Sequence, residues 1–494
     1  MARQLDRMRS ATIFLALLLV APLDATQSST LQPAQLQQDF DVLRRALEEA
    51  HGGLYRYTPK AELDRSFAAF RARLDRPMAP LEFGAALSEA LAMIRDGHTR
   101  LEYGDATMKA LSAARLLPLR VANEGGRLIV LGNDTHADRS IRPGMELLSV
   151  NGRAAAALIG AVAPKMPADG FIETGKAWRL ARGFAQNYWL YVEQTSTFTV
   201  TARDPSGRTV SASLEGVTSA DRAKVENPVN AEVVTSLARL EGSRDNVSLS
   251  FPNGDDVGLL RVRAFDGETF LTSLETAFAS LRDKKTRGLV LDLRGNGGGV
   301  DTYGAALVAH FMTTPFRYFD RIKVTTVAPS FATWPPGTAG RLKSGTRPAP
   351  DGGFLVAPEL HPGVAEQKAA AVSFTGKVVV LTDGGSFSTT ADVCAQLRSR
   401  TQATFIGEET AGAAEGNTSG LNAQVTLPNS GLRLKIQMYG YWNALGTGGR
   451  GGVSGFRPGR GTLPDVTLVR TVANVLAGVD PVVDQAVALL RNPK

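Results

Sequence analysis

Apolar residues recur at helical spacing between residues 34 and 95. The segments DFDVLRRALEEAH, AELDRSFAAFRARL and LEFGAALSEALAMI each repeat apolar residues every three or four positions, and Pro59, Pro77 and Pro80 stand near the breaks. Such spacing places the apolar side chains on one face of a helix, and proline is common where helices begin or end. The pattern predicts a small helical unit that ends at the turn RDGHTRL.

From about Leu117 the pattern changes to one that is typical of strands. LPLRVANEGGRLIVLGN and TFTVTARDPSGRTVSASL both fit strands, and Ser206-Gly207 is a turn within the second. Between them, IRPGMELLSVNGR resembles the PDZ signature, in which a Pro-Gly turn precedes an apolar strand closed by Asn-Gly. Asn151-Gly152 is also a good hairpin turn by itself. We predict a PDZ-like, β-rich module with a helical insertion around GFIETGKAWRLARGFAQNYWL.

The last half of the chain alternates strands and helices. VGLLRVRAF, RGLVLDL, KVVVLTD and ATFIGEE are near-continuous apolar strands, and amphipathic helical segments such as FLTSLETAFASLRD and TTADVCAQLRSR separate them. Strands of this kind are buried on both faces of a sheet, so the fold class is α/β. LRLKIQMYGYW adds a strand and PVVDQAVALLR a terminal helix. The Pro- and Gly-rich region Pro329 to Pro362 is long enough to predict a lid or a partly ordered excursion.

Length and composition support several domains in an exported protein. The 494 residues are 43% hydrophobic, enough for two or three domains with cores of their own. Arg3, Arg7 and Arg9 precede an apolar run from Ile13 to Leu23, and Leu23-Asp24-Ala25 approximates a cleavage site, so residues 1–25 fit an export signal. An uncleaved amphipathic start is the alternative. No stretch reaches the roughly 20 residues of a spanning helix, so we expect a soluble periplasmic or secreted protein.

Cysteine content and charge exclude several kinds of site. The single cysteine, Cys394, cannot form an internal disulfide or build a zinc site, and a buried structural thiol is expected. The net charge of +7 comes from 55 basic and 48 acidic residues without a long run of either sign. This distribution does not indicate nucleic-acid binding. Asp, Glu and His do not occur at metal-ligand spacing, and neither a metal nor a cofactor is expected.

The segment GLVLDLRGNGGG, Gly288 to Gly299, ends a buried strand in three consecutive glycines. Consecutive glycines let backbone N–H groups turn toward one point, and the helix that follows adds partial positive charge. Such a turn suits an anion, either a phosphate or the oxyanion of a tetrahedral acyl intermediate. The phosphate interpretation lacks the G-x-x-x-x-G-K-[ST] and G-x-G-x-x-G patterns. A tight structural turn is the remaining alternative.

A second strand end carries small hydroxyl residues. VVVLTDGGSFSTTADVCAQL, Val378 to Leu397, places Ser388 beyond a strand and at the start of a helix. A hydroxyl at such a corner projects outward, and the neighbouring N–H groups can donate to an oxyanion. By itself the segment fits equally an ordinary helix cap formed by Ser386 or Ser388. A nucleophilic serine also needs a base.

The chain has five histidines from which a base could come. His310 lies in an amphipathic helical segment and His361 in the Pro-rich excursion, so structural roles explain both. His98 differs, because the turn DGHTRL flanks it with Asp96 and Thr99, which could orient its ring.

Taken in order, these segments resemble the tail-specific or C-terminal-processing serine peptidases. RDGHTRL, the PDZ-like IRPGMELLSVNGR, LVLDLRGNGGG, VVVLTDGGSFSTTADV followed by ATFIGEETAG, and the closing GRGTLPDVTL carry the resemblance. It covers nearly the whole chain after the signal, and it is greatest to the branch that includes the tricorn protease core and the interphotoreceptor retinoid-binding protein. The resemblance implies a crotonase/ClpP-like catalytic core and a peptide or protein substrate.

The resemblance also implies the site residues. Ser388 occupies the nucleophile position, because Gly407-Glu408-Glu409-Thr410 follows it at the family's interval. The lysine that commonly serves as the base is absent: Ala411-Gly412-Ala413 stands at its place, and the next lysine, Lys435, is inside a strand. His98 matches the histidine of the tricorn-like branch, where the triad is assembled by the fold rather than by sequence order. The expected oxyanion donors are N–H groups of Gly297 and Gly298 and of Ser388 or Thr389.

Two departures from the family pattern leave the group that orients His98 open. Gly97 precedes the histidine where the tricorn-like branch has serine, and Arg457 and Pro458 stand where a glutamate commonly precedes the closing motif. We consider three orienting candidates, which are Asp96, Glu408 and Asp465.

The predicted organisation has five parts. These are a signal peptide over 1–25, a helical domain with the histidine motif over 26–112, the PDZ-like module over 113–215, a connecting segment over 216–255 and the peptidase core over 256–494.

The predicted function is an exported serine peptidase that acylates at Ser388 with His98 as general base. A non-catalytic relative that binds apolar ligands or peptides is the alternative, whereas the export signal argues against an acyl-CoA enzyme. The sequence does not define the oligomeric state.

Overall fold

A computed structural model of the chain describes residues 30–491 except residues 253, 255, 333, 451, 453 and 454. The predicted export signal, residues 1–25, lies outside the described residues. Among the helices that are described, none combines the length and the apolar character needed to cross a membrane.

Helices form the first part of the described chain, as the apolar spacing predicts. They are α1 (Pro33–Ala50), α2 (Lys60–Ala72) and α3 (Pro80–Ala92). Pro33 and Pro80 begin their helices, where the missing N–H is not needed. Phe40, Phe67 and Phe83, one from each helix, are buried in a shared core. The turn RDGHTRL follows α3, and the next elements are β1 (Leu101–Glu102) and α4 (Asp105–Ala113).

An antiparallel sheet follows in the segment predicted to be a β-rich module. Its elements are β2 (Leu119–Glu124), β3 (Arg127–Asn133), β4 (Glu146–Val150), β5 (Arg153–Ala154), α5 (Ala155–Val162), α6 (Thr174–Arg182), α7 (Phe184–Tyr191), β6 (Thr197–Arg203) and β7 (Thr209–Glu215). The strand order is β2-β3-β4-β6-β7, with β5 beside β4. The expected turn joins β6 and β7, where Gly207 has φ 93°. Helices α6 and α7 form the predicted insertion, and the PDZ-like assignment stays a prediction.

The remaining elements build two further sheets and the helices that cover them. They are α8 (Ser219–Arg222), α9 (Ala231–Glu241), β8 (Val247–Ser250), β9 (Val257–Val262), α10 (Phe270–Asp283), β10 (Gly288–Asp292), α11 (Asp301–Ala309), β11 (Phe316–Arg317), β12 (Phe319–Val324), α12 (Thr338–Ser344), β13 (Thr346–Pro348), β14 (Phe354–Val356), β15 (Glu366–Gln367), β16 (Lys377–Thr382), α13 (Thr389–Arg400), β17 (Thr404–Gly407), β18 (Thr418–Thr426), β19 (Arg433–Asn443), β20 (Val466–Thr467), α14 (Val472–Leu476) and α15 (Pro481–Arg491).

The core sheet has the strand order β20-β17-β16-β10-β9-β8, with β8 antiparallel and the others parallel. Alternate residues of β10 face opposite sides. Leu289 and Leu291 join the core that α10 and α13 cover, whereas Val290 packs with Val482 and Ala486 of α15. Both faces are therefore buried, as the continuous apolar strands predict, and each buried Val or Leu stabilises the fold by about 1.5–3 kcal/mol. The mixed α/β class is confirmed, while the crotonase/ClpP-like core stays a prediction.

The second sheet has the order β1-β19-β12-β14-β13, and β18 also pairs with β19. Strands β13 and β14 and helix α12 lie within Pro329–Pro362, which was expected to form a lid or a partly ordered excursion. That expectation is wrong for these strands, because β14 extends the sheet at β12. Leu101 of β1 pairs with Leu434 of β19 and fixes the chain just after the histidine turn.

Candidate active site

Two turns meet at one edge of the core sheet. β10 and β16 are neighbouring parallel strands, so their carboxyl ends and the turns that follow lie side by side. The two turns are joined by hydrogen bonds: the N–H of Phe387 donates to Asn296 O at 3.0 Å, and that of Gly295 donates to Asp383 Oδ1 at 2.8 Å. This arrangement places the glycine turn directly against Ser388.

Ser388 stands at a strained corner. Its backbone angles, φ 56° and ψ −129°, form a combination that residues other than glycine rarely adopt. Holding a residue there costs about 1–3 kcal/mol. The Ser388 side chain makes no capping bond to helix α13. Ser386 does not cap the helix either, since its hydroxyl donates to Leu293 O at 2.9 Å and accepts from Asp383 N at 3.1 Å. The helix-cap interpretation is therefore wrong for both serines.

The histidine of the RDGHTRL turn faces this corner. His98 Nε2 lies 3.1 Å from Ser388 Oγ, although the residues are 290 positions apart. The ring packs against Phe387, with 4.5 Å between the ring centroids. Asp96 holds the turn, because its Oδ1 accepts the backbone N–H of His98 at 2.7 Å and of Thr99 at 3.2 Å. Burial lowers the pKa of His98 to about 4, against the opposing charge of Asp96, so the ring is neutral at neutral pH.

A second, buried histidine supports Asp96, although no sequence pattern points to it. His51 Nδ1 accepts the N–H of Gly53 at 3.0 Å, so its neutral ring carries the proton at Nε2. That nitrogen lies 2.7 Å from Thr99 Oγ1 and 3.2 Å from Asp96 Oδ2. Burial opposes the ionisation of Asp96, but hydrogen bonds from His51 and Thr418 outweigh it and lower the Asp96 pKa below its ordinary value.

Asp169 is the other residue that sequence reasoning missed. It comes from the loop before α6 and is 1% exposed, and its Oδ1 accepts the N–H of Gly97 at 2.6 Å. Asp96, His98 and Asp169 each place a ligand-type atom within 4.8 Å of the others. Burial, helped by the charge of Asp96, raises the pKa of Asp169 to about 7. His98 Nδ1 is buried and has no hydrogen-bond partner among the described residues.

Asp96, His98 and Asp169 are spaced closely enough for a metal ion, but their hydrogen bonds do not fit one. Asp96 already accepts bonds from two backbone N–H groups, His51 and Thr418. A cation there would have to displace these donors. The trio is better described as a hydrogen-bonded network that positions His98.

The three candidates for orienting His98 occupy different places. Asp96 binds the backbone of the histidine turn rather than the ring. Asp465 accepts from Arg398 at 2.7 Å and from Phe405 N at 2.8 Å, and the Glu408 backbone is bound to Thr382. The charged groups that influence the His98 pKa are Asp96, Arg179 and Arg100, so the structure does not bring Glu408 or Asp465 to the ring.

The predicted oxyanion donors are partly corrected. The N–H of Gly298 donates to Asn296 Oδ1 at 2.9 Å, so it is not free to bind a ligand, because the asparagine side chain closes the turn two residues ahead. The N–H groups of Gly297, Ser388 and Thr389 make no hydrogen bond with any described residue. No heavy atom would lie within 4 Å of a Cβ at Gly297. The three N–H groups are therefore available as donors, and the Gly297 side of the turn is open.

Comparison with known proteins finds one family match. Residues 256–458 match the model of peptidase family S41. The chain contains a peptidase family S41 domain. The predicted resemblance to tail-specific serine peptidases is confirmed, and so is the enzyme class, a serine peptidase. No curated protein matches the chain.

Solved structures agree with the S41 domain at the level of the fold. The chain is similar to mature CPAF, with a TM-score of 0.63 and 15% identity over 94% of this chain and 99% of that one. It is also similar to mature CPAF complexed with lactacystin, with a TM-score of 0.61 and 16% identity over the same shares, 94% and 99%. At such low identity these likenesses establish a shared fold.

A cavity of about 260 Å³ adjoins the corner at Ser388, with Ser388 and Thr389 in its wall. His361, for which the sequence predicts a structural role, lines this cavity.

Other residues have the structural roles expected of them. His310 stacks on Phe278 at 4.0 Å, and Cys394 is fully buried in α13.

Proposed function

We propose that this chain is an exported serine peptidase that cleaves peptide bonds through an acyl-enzyme at Ser388, with His98 as general base. The observation that carries the proposal is the 3.1 Å separation of His98 Nε2 and Ser388 Oγ at a strained corner beside free backbone N–H groups. Strain held at such a position is typical of functional residues. The acyl-enzyme route needs this nucleophile and base within hydrogen-bond reach.

The geometry supports the following steps. Neutral His98 accepts the Ser388 proton at Nε2 while Oγ attacks the peptide carbonyl carbon, and the oxyanion accepts hydrogen bonds from Gly297, Ser388 and Thr389 N–H groups. The tetrahedral intermediate collapses when His98 returns the proton to the leaving amine. Water, deprotonated by the same ring, then hydrolyses the ester. Losing one oxyanion donor typically costs about 2.7–4 kcal/mol of transition-state stabilisation.

In this proposal Asp169 is the third member of the group formed with Ser388 and His98. Once His98 has taken a proton, its Nδ1–H needs an acceptor, and Asp169 is the candidate because its buried carboxylate lies within 4.8 Å of a ring nitrogen of His98. Active sites often tighten their hydrogen bonds when substrate binds. Asp169 would then replace the glutamate that the closing motif lacks.

Separate observations support the proposed core fold, the PDZ-like module and export. The crotonase/ClpP-like core is supported by the parallel order of β9, β10, β16 and β17. The PDZ-like module is supported by the sheet of β2 to β7, whose edge strands offer a peptide a partner for strand addition. Export rests on the basic and apolar pattern of residues 1–25.

Labelling with a fluorophosphonate and peptide hydrolysis test the proposal together. Wild type should be labelled and active. Ser388→Ala and His98→Ala should lose labelling and lower kcat by about 10⁴-fold or more, with unchanged circular dichroism. Ser66→Ala, an exposed serine on α2, serves as the matched control and should behave as wild type. Undiminished labelling or hydrolysis by Ser388→Ala would rule out the nucleophile. Absent labelling with ligand-induced thermal stabilisation would favour the binding alternative.

A further inference from the structure

We infer that the cavity beside Ser388 is a subsite for a positively charged side chain, that of lysine or arginine, adjacent to the scissile bond. The inference rests on the proposed peptidase function and adds its substrate class. Because Ser388 and Thr389 form part of the wall, a side chain in the cavity belongs to a residue next to the bond that Ser388 attacks. The volume of about 260 Å³ accommodates a long side chain.

Asp301 gives the cavity its negative charge. It lies in the first turn of α11, and His361 Nε2 is 2.9 Å from its Oδ2. His361 Nδ1 accepts the N–H of Gly363 at 3.2 Å, which leaves Nε2 to donate to Asp301. His361 therefore holds the Asp301 carboxylate in place through one of its two oxygens. Asp301 Oδ1 has no hydrogen-bond partner among the described residues, and 20% of the side chain is exposed.

Apart from His361, the cavity wall offers Asp301 no basic side chain. No lysine or arginine is among the described residues that line it. Asp392, deeper in the wall, has both oxygens bound to side-chain amides, Asn417 at 3.0 Å and Asn443 at 2.9 Å. The free acceptor that faces a ligand is thus Asp301 Oδ1, in a site that is partly shielded from water. An isolated carboxylate in such a place favours a cation that can form a charge-assisted hydrogen bond.

Aromatic rings complete the fit to a cationic side chain. Phe319, Tyr439 and Tyr441 line the cavity, with 6.1 Å between the two tyrosine rings and 4.8 Å between Phe319 and Tyr441. Rings of this kind pack against the methylene stem of lysine or arginine and attract its charge. A neutral apolar side chain would cover Asp301 without pairing it, and an acidic one would be repelled. The wall therefore discriminates by charge as well as by shape.

Matched peptides test the subsite. The peptides differ in one residue, placed directly before or directly after the cleaved bond: lysine against norleucine, and arginine against citrulline. Wild type should cleave the cationic member of at least one series with kcat/KM roughly 10–100-fold higher, and Asp301→Asn should lose that ratio of cationic to neutral cleavage. Asp301→Glu should retain most of the preference for the cationic peptide. Asp283→Asn, an exposed carboxylate on α10 paired with Arg282, is the charge-matched control and should keep the full preference.

A binding measurement separates failure of the subsite from failure of the peptidase. Ser388→Ala protein, which does not turn over, should bind 4-aminobenzamidine, and Asp301→Asn in the same background should weaken binding roughly 10-fold or more. Equal cleavage of cationic and neutral peptides, or a preference that survives Asp301→Asn, would overturn the subsite and leave the peptidase standing. Absence of all cleavage and of fluorophosphonate labelling would overturn the peptidase. Amidine binding that depends on Asp301 would then still support the cation site.

Discussion

Asp169 changes its ionisation state near neutral pH, and this has a consequence for the rate. Burial and the charge of Asp96 raise its pKa to about 7, whereas burial lowers the pKa of His98 to about 4. Above pH 7 Asp169 is ionised and stabilises the protonated ring that forms during acylation. Below pH 7 Asp169 is neutral and stabilises the protonated His98 ring less well. The wild-type kcat/KM should therefore rise with pH through about 7.

Asp169→Asn tests this assignment as a positioning residue. The variant should lower kcat by about 10²–10⁴-fold and lose the rise near pH 7, because the amide does not ionise. The measurement is the pH dependence of kcat/KM between pH 5 and 9, with thermal unfolding to show that the fold is intact. Asp64→Asn, which replaces a half-buried carboxylate of α2 that pairs with Lys60 and Arg44, should keep the wild-type profile. A variant profile that still rises near pH 7 would remove Asp169 from the mechanism.

The sequence predicts Ser388 and His98 because each stands in a segment with its own pattern, a strand-to-helix corner and a turn after a helix. It does not predict Asp169 or His51. Asp169 follows no strand or helix motif, and His51 ends α1 with no acidic residue beside it in the sequence. Their roles arise from contacts with Gly97 and Asp96, which depend on packing between segments far apart in the chain. Local patterns contain no information about such contacts.

At the scale of elements, the site depends on how closely the glycine turn after β10 approaches the corner after β16. Gly298 has φ 101°, and a Cβ there would lie 2.7 Å from Ser388 Cβ and 2.9 Å from Phe387 O. Gly298→Ala should destabilise the protein by about 1–3 kcal/mol through backbone strain, and it should also push the turn away from Ser388 and reduce kcat more than 10-fold.

Urea unfolding and peptide hydrolysis of the same preparations measure both effects of Gly298→Ala. Gly297→Ala is the matched control for stability, because its φ is not positive and no atom stands within 4 Å of the added Cβ. The control should unfold like wild type. Wild-type stability and activity in Gly298→Ala would mean that the close approach of the two turns is not required.

The sequence predicts the elements of the core sheet better than those of the second sheet. β10 and β16 are short, continuous apolar runs that end in turn residues, so their type and position are evident, and parallel neighbours bring both turns to one edge. In the second sheet only β19 is evident from its pattern. β1 has two residues, and β14 pairs with β12 across a long connection. Short strands of this kind form because a partner is already in place.

At the scale of the whole molecule, the site unites segments from most of the chain. His98 comes from the turn after α3, Asp169 from the loop before α6 and Ser388 from the core sheet. Bringing carboxyl groups into this interior raises several pKa values through burial. Those of Asp169 and Asp392 rise to about 7, and those of Asp383, Glu408 and Glu415 also rise. The folded state therefore retains protons that the unfolded chain releases near pH 4.

The raised carboxyl pKa values make stability fall as pH rises from about 4 to about 7, because these groups bind fewer protons in the unfolded state than in the folded state over that interval. The lowered pKa values of His98 and His310 act in the opposite sense up to about pH 6.5, but two histidines oppose five carboxyl groups, and the lowered pKa of Asp96 acts only below about pH 4. Asp392→Asn removes one raised group, so its unfolding free energy should depend less on pH between 4.5 and 7.5, as measured by urea unfolding at several pH values. Asp64→Asn should leave the slope unchanged. An unchanged slope in Asp392→Asn would mean that Asp392 is ionised in the folded protein throughout, with its two asparagine partners sufficient to hold the charge.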